Sequence, residues 1–206
     1  MKTVSPQFLF DFGSPNAYLV HAVLPQLESR TGVAFEYVPV LLGGLFKLSG
    51  NRSPVETFAN VANRRAYDLL EIQRFVTRHG LTRFRLNPYF PVNTLQIMRG
   101  AVAAQKLDCL APYAKAVFAA MWERELDLGN PDVIVSVLDA AGLDGATLHA
   151  ATQSPDVKAR LLANTQSAFE RGAFGSPTFF VGSEMYFGKD RLREVEEAID
   201  RQRQPA

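Results

Sequence analysis

Everything strand-like in this chain lies at its two ends. Gln7-Phe8-Leu9-Phe10-Asp11-Phe12 and Val33-Ala34-Phe35-Glu36-Tyr37-Val38-Pro39-Val40 have the aromatic and β-branched density of strands, as do Thr178-Phe179-Phe180-Val181 and Glu184-Met185-Tyr186-Phe187. From Leu41 to about Gly172 the apolar spacing is helical. Such a chain must bring its ends together to pair its strands and carry the helices as an excursion. Ser14-Pro15 opens a helix behind Gly13, Ala17, Val20, Val23, Leu24 and Leu27 keep its period, and Thr31-Gly32 stops it. The opening is therefore βαβ, with a right-handed crossover. The second strand pair turns at Gly182-Ser183 as a hairpin, and Arg191 to Arg201, with Leu192, Val195 and Ile199 on one face, closes the chain as a helix. The expected class is α/β: a βαβ…ββα sheet of four strands with helices on its faces and a large all-helical insertion.

The excursion is punctuated by proline and glycine. Ser53-Pro54-Val55-Glu56 reads as a capping box, and the helix or pair of helices behind it runs to Arg78, with Gly80 past its end. Asn93 to Leu107, Tyr113 to Leu126, Pro131 to Ala141 and Pro155 to Arg171 are further windows, making five or so helices. Ser53 and Ser154, each followed by proline, are read as hydroxyl caps. The polar end, Gln202 to Ala206, is expected to fray.

Composition removes several classes of function. Lys and Arg number 22 against 21 Asp and Glu, so no net field gathers nucleic acid or anionic lipid, and neither is expected as a partner. The longest apolar run, Ala116 to Trp122, is seven residues, far short of the ~20 that span a bilayer. Phe8-Leu9-Phe10 is too short for a secretory leader, and a lone cysteine, Cys109, suits a reducing compartment, so the expected location is the cytoplasm. His21, His79 and His149 have no metal-ligand spacing, and no metal is expected. Cys109 reads as a small buried hydrophobe, and the arginines from Arg64 to Arg85, interleaved with Asp68 and Glu71, as a solvated face.

Two serine-proline pairs stand apart. Ser14 is a cap by position, yet it sits at the carboxyl end of the first strand, where α/β folds place ligands. A helix start there offers unpaired N–H groups and a partial positive charge to an anion. Ser176-Pro177 enters a strand, so it is no helix cap, and behind Phe174-Gly175 it is a candidate cis bond.

Asp11-Phe12-Gly13-Ser14-Pro15-Asn16-Ala17-Tyr18, the helical insert, Phe174-Gly175-Ser176-Pro177-Thr178-Phe179-Phe180-Val181 and Gly188-Lys189-Asp190-Arg191-Leu192, in that order, resemble the DsbA-like thioredoxin-fold family. Within it the chain is similar to the 2-hydroxychromene-2-carboxylate isomerases and the related kappa-class glutathione transferases. Leu41 to Lys47, Gly50 to Pro54 and Asn87 to Asn93 resemble the same group. The resemblance implies a thioredoxin-like domain from 1–43 and 173–206, a helical insertion over 44–172, and helix 155–172 packed at their junction. It also implies glutathione as cofactor, a small aromatic keto acid as substrate, and a homodimer. Ser14 matches the first Cys of the Cys-x-x-Cys of the disulfide oxidoreductases, and Ser14-Pro15-Asn16-Ala17 has no thiol at either end, which excludes dithiol exchange. In the isomerases and kappa transferases the matching serine hydrogen-bonds the glutathione sulfur. By the same resemblance Ser176 and Pro177 meet the cysteinyl backbone, and Gly188, Lys189, Asp190 and Arg191 hold the γ-glutamyl end. Lys47, Asn51, Arg52 and Tyr89 match positions that meet the organic substrate.

The sulfur chemistry implied is of attainable size. Bringing a thiol from a pKa near 8.5 to about 7 takes roughly 2 kcal/mol. A helix terminus contributes ~0.3–1 kcal/mol, up to ~2 when partly buried, and one hydrogen bond to a charged group ~1.5–3. Ser14 and its helix suffice without a catalytic base. Two other functions are compatible with the same residues: a kappa-like transferase or peroxidase that consumes glutathione, and a non-catalytic thioredoxin-fold binding protein.

Overall fold

The computed structural model describes residues 5–203. Strand β1 (Gln7–Phe10) is followed by helix α1 (Pro15–Thr31) and strand β2 (Glu36–Pro39). Eight helices come next: α2 (Leu42–Ser49), α3 (Pro54–Thr57), α4 (Ala62–His79), α5 (Leu95–Lys106), α6 (Leu110–Trp122), α7 (Pro131–Ala140), α8 (Gly145–Ala151) and α9 (Pro155–Glu170). The hairpin β3 (Thr178–Val181) and β4 (Glu184–Phe187), a 3₁₀ turn at Lys189–Arg191 and helix α10 (Leu192–Arg203) complete the chain. The sheet order is β2-β1-β3-β4, with β1 parallel to β2 and antiparallel to β3. The chain's two ends are thus joined along β1, where Phe8 lies opposite Phe179. This is the DsbA-like thioredoxin arrangement with its helical insertion.

Side chains alternate across the sheet, and each set meets a different helical layer. Phe8, Phe10 and Phe179 enter the larger core with α1, α5, α6 and α10, in which Phe118 and Trp122 are wholly buried. Leu9 and Phe180 point the other way, onto Leu45 of α2 and Ala168 of α9. The insertion is tied to the sheet by side-chain bonds to strand ends. Gln105 Nε2 donates to Tyr37 O (3.0 Å), Asn164 Nδ2 to Pro39 O (3.1 Å), and Trp122 Nε1 to Phe12 O (2.8 Å).

Several expectations are corrected. The first strand ends at Phe10, because Asp11 turns its carboxylate inward instead of continuing the ladder. The Ser53 and Ser154 hydroxyls cap nothing: prolines do open α3 and α9, but Ser53 Oγ makes no capping bond and Ser154 Oγ turns to the Asp156 carboxylate. Both serines stand in water-accessible helix starts, where solvent competes for the same N–H groups. The helix pair to Arg78 resolves into α3 and α4, and α2, α3 and α8 raise the insertion above five helices. Gln202 and Arg203 are held rather than frayed, Gln202 Nε2 donating to Val181 O (2.9 Å) and the Arg203 guanidinium to Thr31 O. The rest of that tail, 204–206, lies outside the described residues. Among the described residues no helix is long and apolar enough to cross a membrane.

Candidate active site

At the carboxyl end of β1 and the first turn of α1 four buried polar side chains, Asp11, Ser14, Thr94 and Ser176, meet. Ser14 is extended, with φ −94° and ψ 114°, and its Oγ accepts from Ala17 N (3.2 Å), a true helix cap. The same hydroxyl donates to Ser176 O at 2.9 Å. Ser176–Pro177 is a cis peptide, and Ser176 Oγ accepts from Asp11 N (3.1 Å). The two serines, 162 residues apart in sequence, are therefore interlocked. Both are buried. Pro15 brings no N–H, and the amide of Asn16 finds no acceptor among the described residues. The Asn16 Oδ1 atom is buried without a hydrogen-bond partner. The helix start thus presents one hydroxyl proton, one free amide and one orphaned acceptor beside the cis-proline loop.

Asp11, to which the sequence alone assigns no role in the site, underlies it. It is wholly buried. Its Oδ1 accepts from Gly13 N (2.8 Å), and its Oδ2 from Leu42 N (2.8 Å) and Thr94 Oγ1 (3.0 Å). Its backbone is used as well, the carbonyl accepting from Ser14 N (3.0 Å). Burial pushes its carboxyl above the ordinary value, against the opposing pull of the bonds from Leu42, Gly13 and Thr94. Through this one side chain the Ser14 loop, the start of α2 and the start of α5 share a buried anchor. Gly13 is needed for the approach: a Cβ there would stand 2.9 Å from Thr94 Cγ2. An acid embedded in Phe10-Asp11-Phe12 was the available signal, since acids are almost never fully buried without partners.

The other expected residues divide in two. Gly188 N donates to Pro177 O (3.0 Å), and Gly188 has a left-handed φ of 97°, so the turn that follows is fastened to the cis-proline loop. Lys189 is 4 % exposed, its ammonium 2.7 Å from Asp190 Oδ1 and 5.4 Å from the Phe75 ring centroid. It is a buried strut, and Asp190, exposed, is the group of that pair open to a ligand. Arg191 pairs with Glu194 (2.6 Å) on the surface. Asn51 Nδ2 donates to Phe174 O (3.0 Å), which brings the loop after α2 against Phe174-Gly175-Ser176. Ser14, Ser176, Pro177, Gly188 and Asn51 are thereby connected through hydrogen-bonded segments. Lys47, Arg52 and Tyr89 are exposed; Arg52 N donates to Asn51 Oδ1 (2.8 Å), but none of the three side chains makes a hydrogen bond or ion pair to the cluster.

The remaining titratable candidates lie elsewhere. His149 contacts Gln96 (2.8 Å), His79 lies against Phe75, and His21 lies on α1 against Tyr37. Cys109 is half-buried, and burial with neighbouring Asp108 pushes its thiol up, away from thiolate. The described residues hold no group of three or more His, Cys, Asp or Glu able to bind a metal.

Known proteins are similar to this chain in sequence and in fold. The profile of the DSBA-like thioredoxin domain matches residues 7–200. The 2-hydroxychromene-2-carboxylate isomerase of Sphingobium xenophagum is 26 % identical over 95 % of this chain and 96 % of its own, and that of Pseudomonas putida is 29 % identical over 94 % and 93 %. Glutathione S-transferase kappa 1 of Rattus norvegicus is 27 % identical over 90 % of this chain and 86 % of its own. A solved 2-hydroxychromene-2-carboxylate isomerase superposes with a TM-score of 0.80 at 28 % identity, covering 96 % of this chain and 95 % of that one. A probable DsbA oxidoreductase from Streptomyces coelicolor, 17 % identical over 98 % and 92 %, shares the fold with a TM-score of 0.71. The chain belongs to the DSBA-like thioredoxin domain family.

Proposed function

We propose that this protein is a glutathione-dependent cis/trans isomerase converting 2-hydroxychromene-2-carboxylate, or a close analogue, to trans-o-hydroxybenzylidenepyruvate in the breakdown of aromatic compounds. The observation that carries the reading is the Ser14 hydroxyl, held at the start of α1 against the Ser176 carbonyl, in a Ser14-Pro15-Asn16-Ala17 turn that has no thiol.

The residues present fit a thiol tripeptide. Ser176 offers its backbone on a loop set by the cis bond, as for an added strand. Asp190, on the turn fastened to that loop, offers an exposed carboxylate to an α-amino group. Ser14 has one proton to give. Glutathione, when bound, supplies the sulfur nucleophile that adds reversibly to the conjugated carbon and frees the double bond to turn.

What Ser14 contributes can be bounded. Turning its O–H from Ser176 O to sulfur gives up a neutral hydrogen bond worth ~1 kcal/mol net and gains one to a charged group worth ~1.5–3, a surplus of roughly 0.5–2. The free Asn16 amide and the helix terminus add ~0.3–1 kcal/mol or more. Together they approach the ~2 kcal/mol that brings a thiol from 8.5 to about 7. Lys47 and Arg52, exposed, have no ion partner among the described residues and remain available for the substrate carboxylate, while Asn51 and Tyr89 are assigned to its oxygen-bearing end.

The test is turnover of 2-hydroxychromene-2-carboxylate with and without glutathione. The reading requires turnover that depends on glutathione and leaves its concentration unchanged. Glutathione-independent turnover, or none, refutes it. Similarity to the kappa transferases favours a second reading, a transferase or peroxidase. Depletion of glutathione in step with product would establish that instead.

A further inference from the structure

A cavity of about 820 Å³ opens beside α1, and none of the residues of the Ser14 site lines it. Its wall on α1 is the stripe Tyr18, His21, Ala22 and Pro25, continued to Glu28 at helical spacing. Phe35, just before β2, and Tyr37, on β2, form its floor, and α6 supplies Phe118 and Lys115. The volume falls within the ~300–1,000 Å³ of small-molecule sites.

Its hydrogen bonding is unbalanced toward donors. His21 stacks on Phe118, with centroids 4.7 Å apart and planes at 25°, and its Nδ1 lies 2.9 Å from Tyr37 Oη. Burial, with Glu28 nearby, keeps the Tyr37 phenol protonated. Burial and then Lys115 push His21 down to about 4, so the ring is neutral at pH 7. In the tautomer where the phenol donates to Nδ1 the imidazole proton sits on Nε2, and Nε2 has no hydrogen-bond partner among the described residues, so a ligand acceptor there selects that tautomer. Lys115 is in no ion pair among the described residues. The acids of the wall are already engaged. Glu28 Oε1 accepts from Phe35 N (2.8 Å), and Glu123 accepts from Tyr18 Oη (3.1 Å) and Arg83 Nε (3.1 Å).

Two unmatched donors above an aromatic floor recognise one kind of ligand. We propose that this cavity is a second small-molecule site, separate from Ser14, for a planar aromatic carboxylate held with its ring against Tyr37, Ala22 and Pro25 and its carboxylate between Lys115 and His21 Nε2. The assignment stands or falls independently of the isomerase reading.

The experiment is calorimetric titration of the full chain, without glutathione, with 2-naphthoate and its neutral analogue 2-naphthamide, accompanied by NMR of the His21 ring. The proposal expects one 2-naphthoate per chain, a shift of the His21 resonances, and binding about tenfold or more weaker for 2-naphthamide and for Lys115→Gln, the loss of a charge-assisted contact. Lys115 is exposed, so Lys115→Gln keeps the fold, whereas His21→Phe also tests the stack. Lys47→Ala should leave this binding unchanged. Absence of binding at millimolar 2-naphthoate overturns the proposal. So does binding lost in Lys47→Ala but kept in Lys115→Gln, which would place the ligand at the Ser14 site. A protein dimer that Lys115→Gln disrupts and 2-naphthoate does not would assign the cavity to an interface and also overturn it.

Discussion

Removing the Asp11 carboxylate should damage the protein more than any surface acid would. Asp11→Ala leaves the part-buried amides of Gly13 and Leu42 without their acceptor, while the Thr94 hydroxyl can rotate to another partner. Each unsatisfied amide costs ~1–3 kcal/mol, about 2–6 in all, and losing a buried charge offsets part, so the net is roughly 2–4 kcal/mol. With a urea m-value of about 2 kcal/mol/M the unfolding midpoint falls by roughly 1–2 M at unchanged slope. Asp11→Asn should be milder, because the amide oxygen still accepts from Gly13 while its NH₂ opposes the Leu42 N–H. Asp11 has its folded carboxyl raised above the ordinary 3.8, so its contribution to stability is fully present below that value and is lost as pH rises through the folded one. The stability difference between parent and Asp11→Asn must therefore move against the parent as pH rises from about 4 toward neutrality. An Asp11→Ala stability within ~0.5 kcal/mol of the parent would refute the reasoning, since the two amides would then have found other acceptors.

Three further outcomes are expected. Ser14→Ala should slow isomerisation by up to about 30-fold, the ~2 kcal/mol upper bound of its hydrogen bond to sulfur, while costing ~1–2 kcal/mol of stability, the loss of one cap. A rate within threefold of the parent by the same spectrophotometric assay would remove Ser14 from the mechanism. Asp190→Ala should raise the KM for glutathione with little change in kcat, because it acts on a remote part of the cofactor. An unchanged KM would return Asp190 to its pairing with Lys189 alone. By NMR titration the His21 ring should change charge near pH 4, and in the window from 6.5 down to 4 the folded state should lose stability as the unfolded histidine takes its proton first. A midpoint near 6.5 would contradict the buried stack on Phe118.

The periodic parts of this fold were readable from the chain. α1 carries Ala17, Val20, Val23, Leu24 and Leu27 over several turns, and β3 with β4 carries a hairpin turn between two aromatic runs, so local pattern and tertiary burial agree. Helices α2, α3 and α8 have eight residues or fewer, too short to show a period, and α2 is fixed by burying Leu45 under the sheet. Ser53 and Ser154 misled because a cap motif records only what a hydroxyl can reach, and water at an exposed helix start reaches it too. In the site, Ser14, Ser176 and Pro177 were found by motif, and the structure brings them together. Asp11 was missed because two of its three partners, Leu42 and Thr94, come from segments that reach it only in the folded chain, while the third, Gly13, is local. Lys189 was taken for a ligand group, whereas its burial against Phe75 depends on α4 folding over it.

The most direct measurement is the ionisation of glutathione on the protein, followed by thiolate absorbance against pH in the parent and in Ser14→Ala. The account predicts a bound thiol titrating near 7 in the parent, about 1.5 units below a free thiol, and at least half of that displacement lost in Ser14→Ala. A bound thiol that titrates where the free one does, or one equally displaced in both proteins, would contradict it.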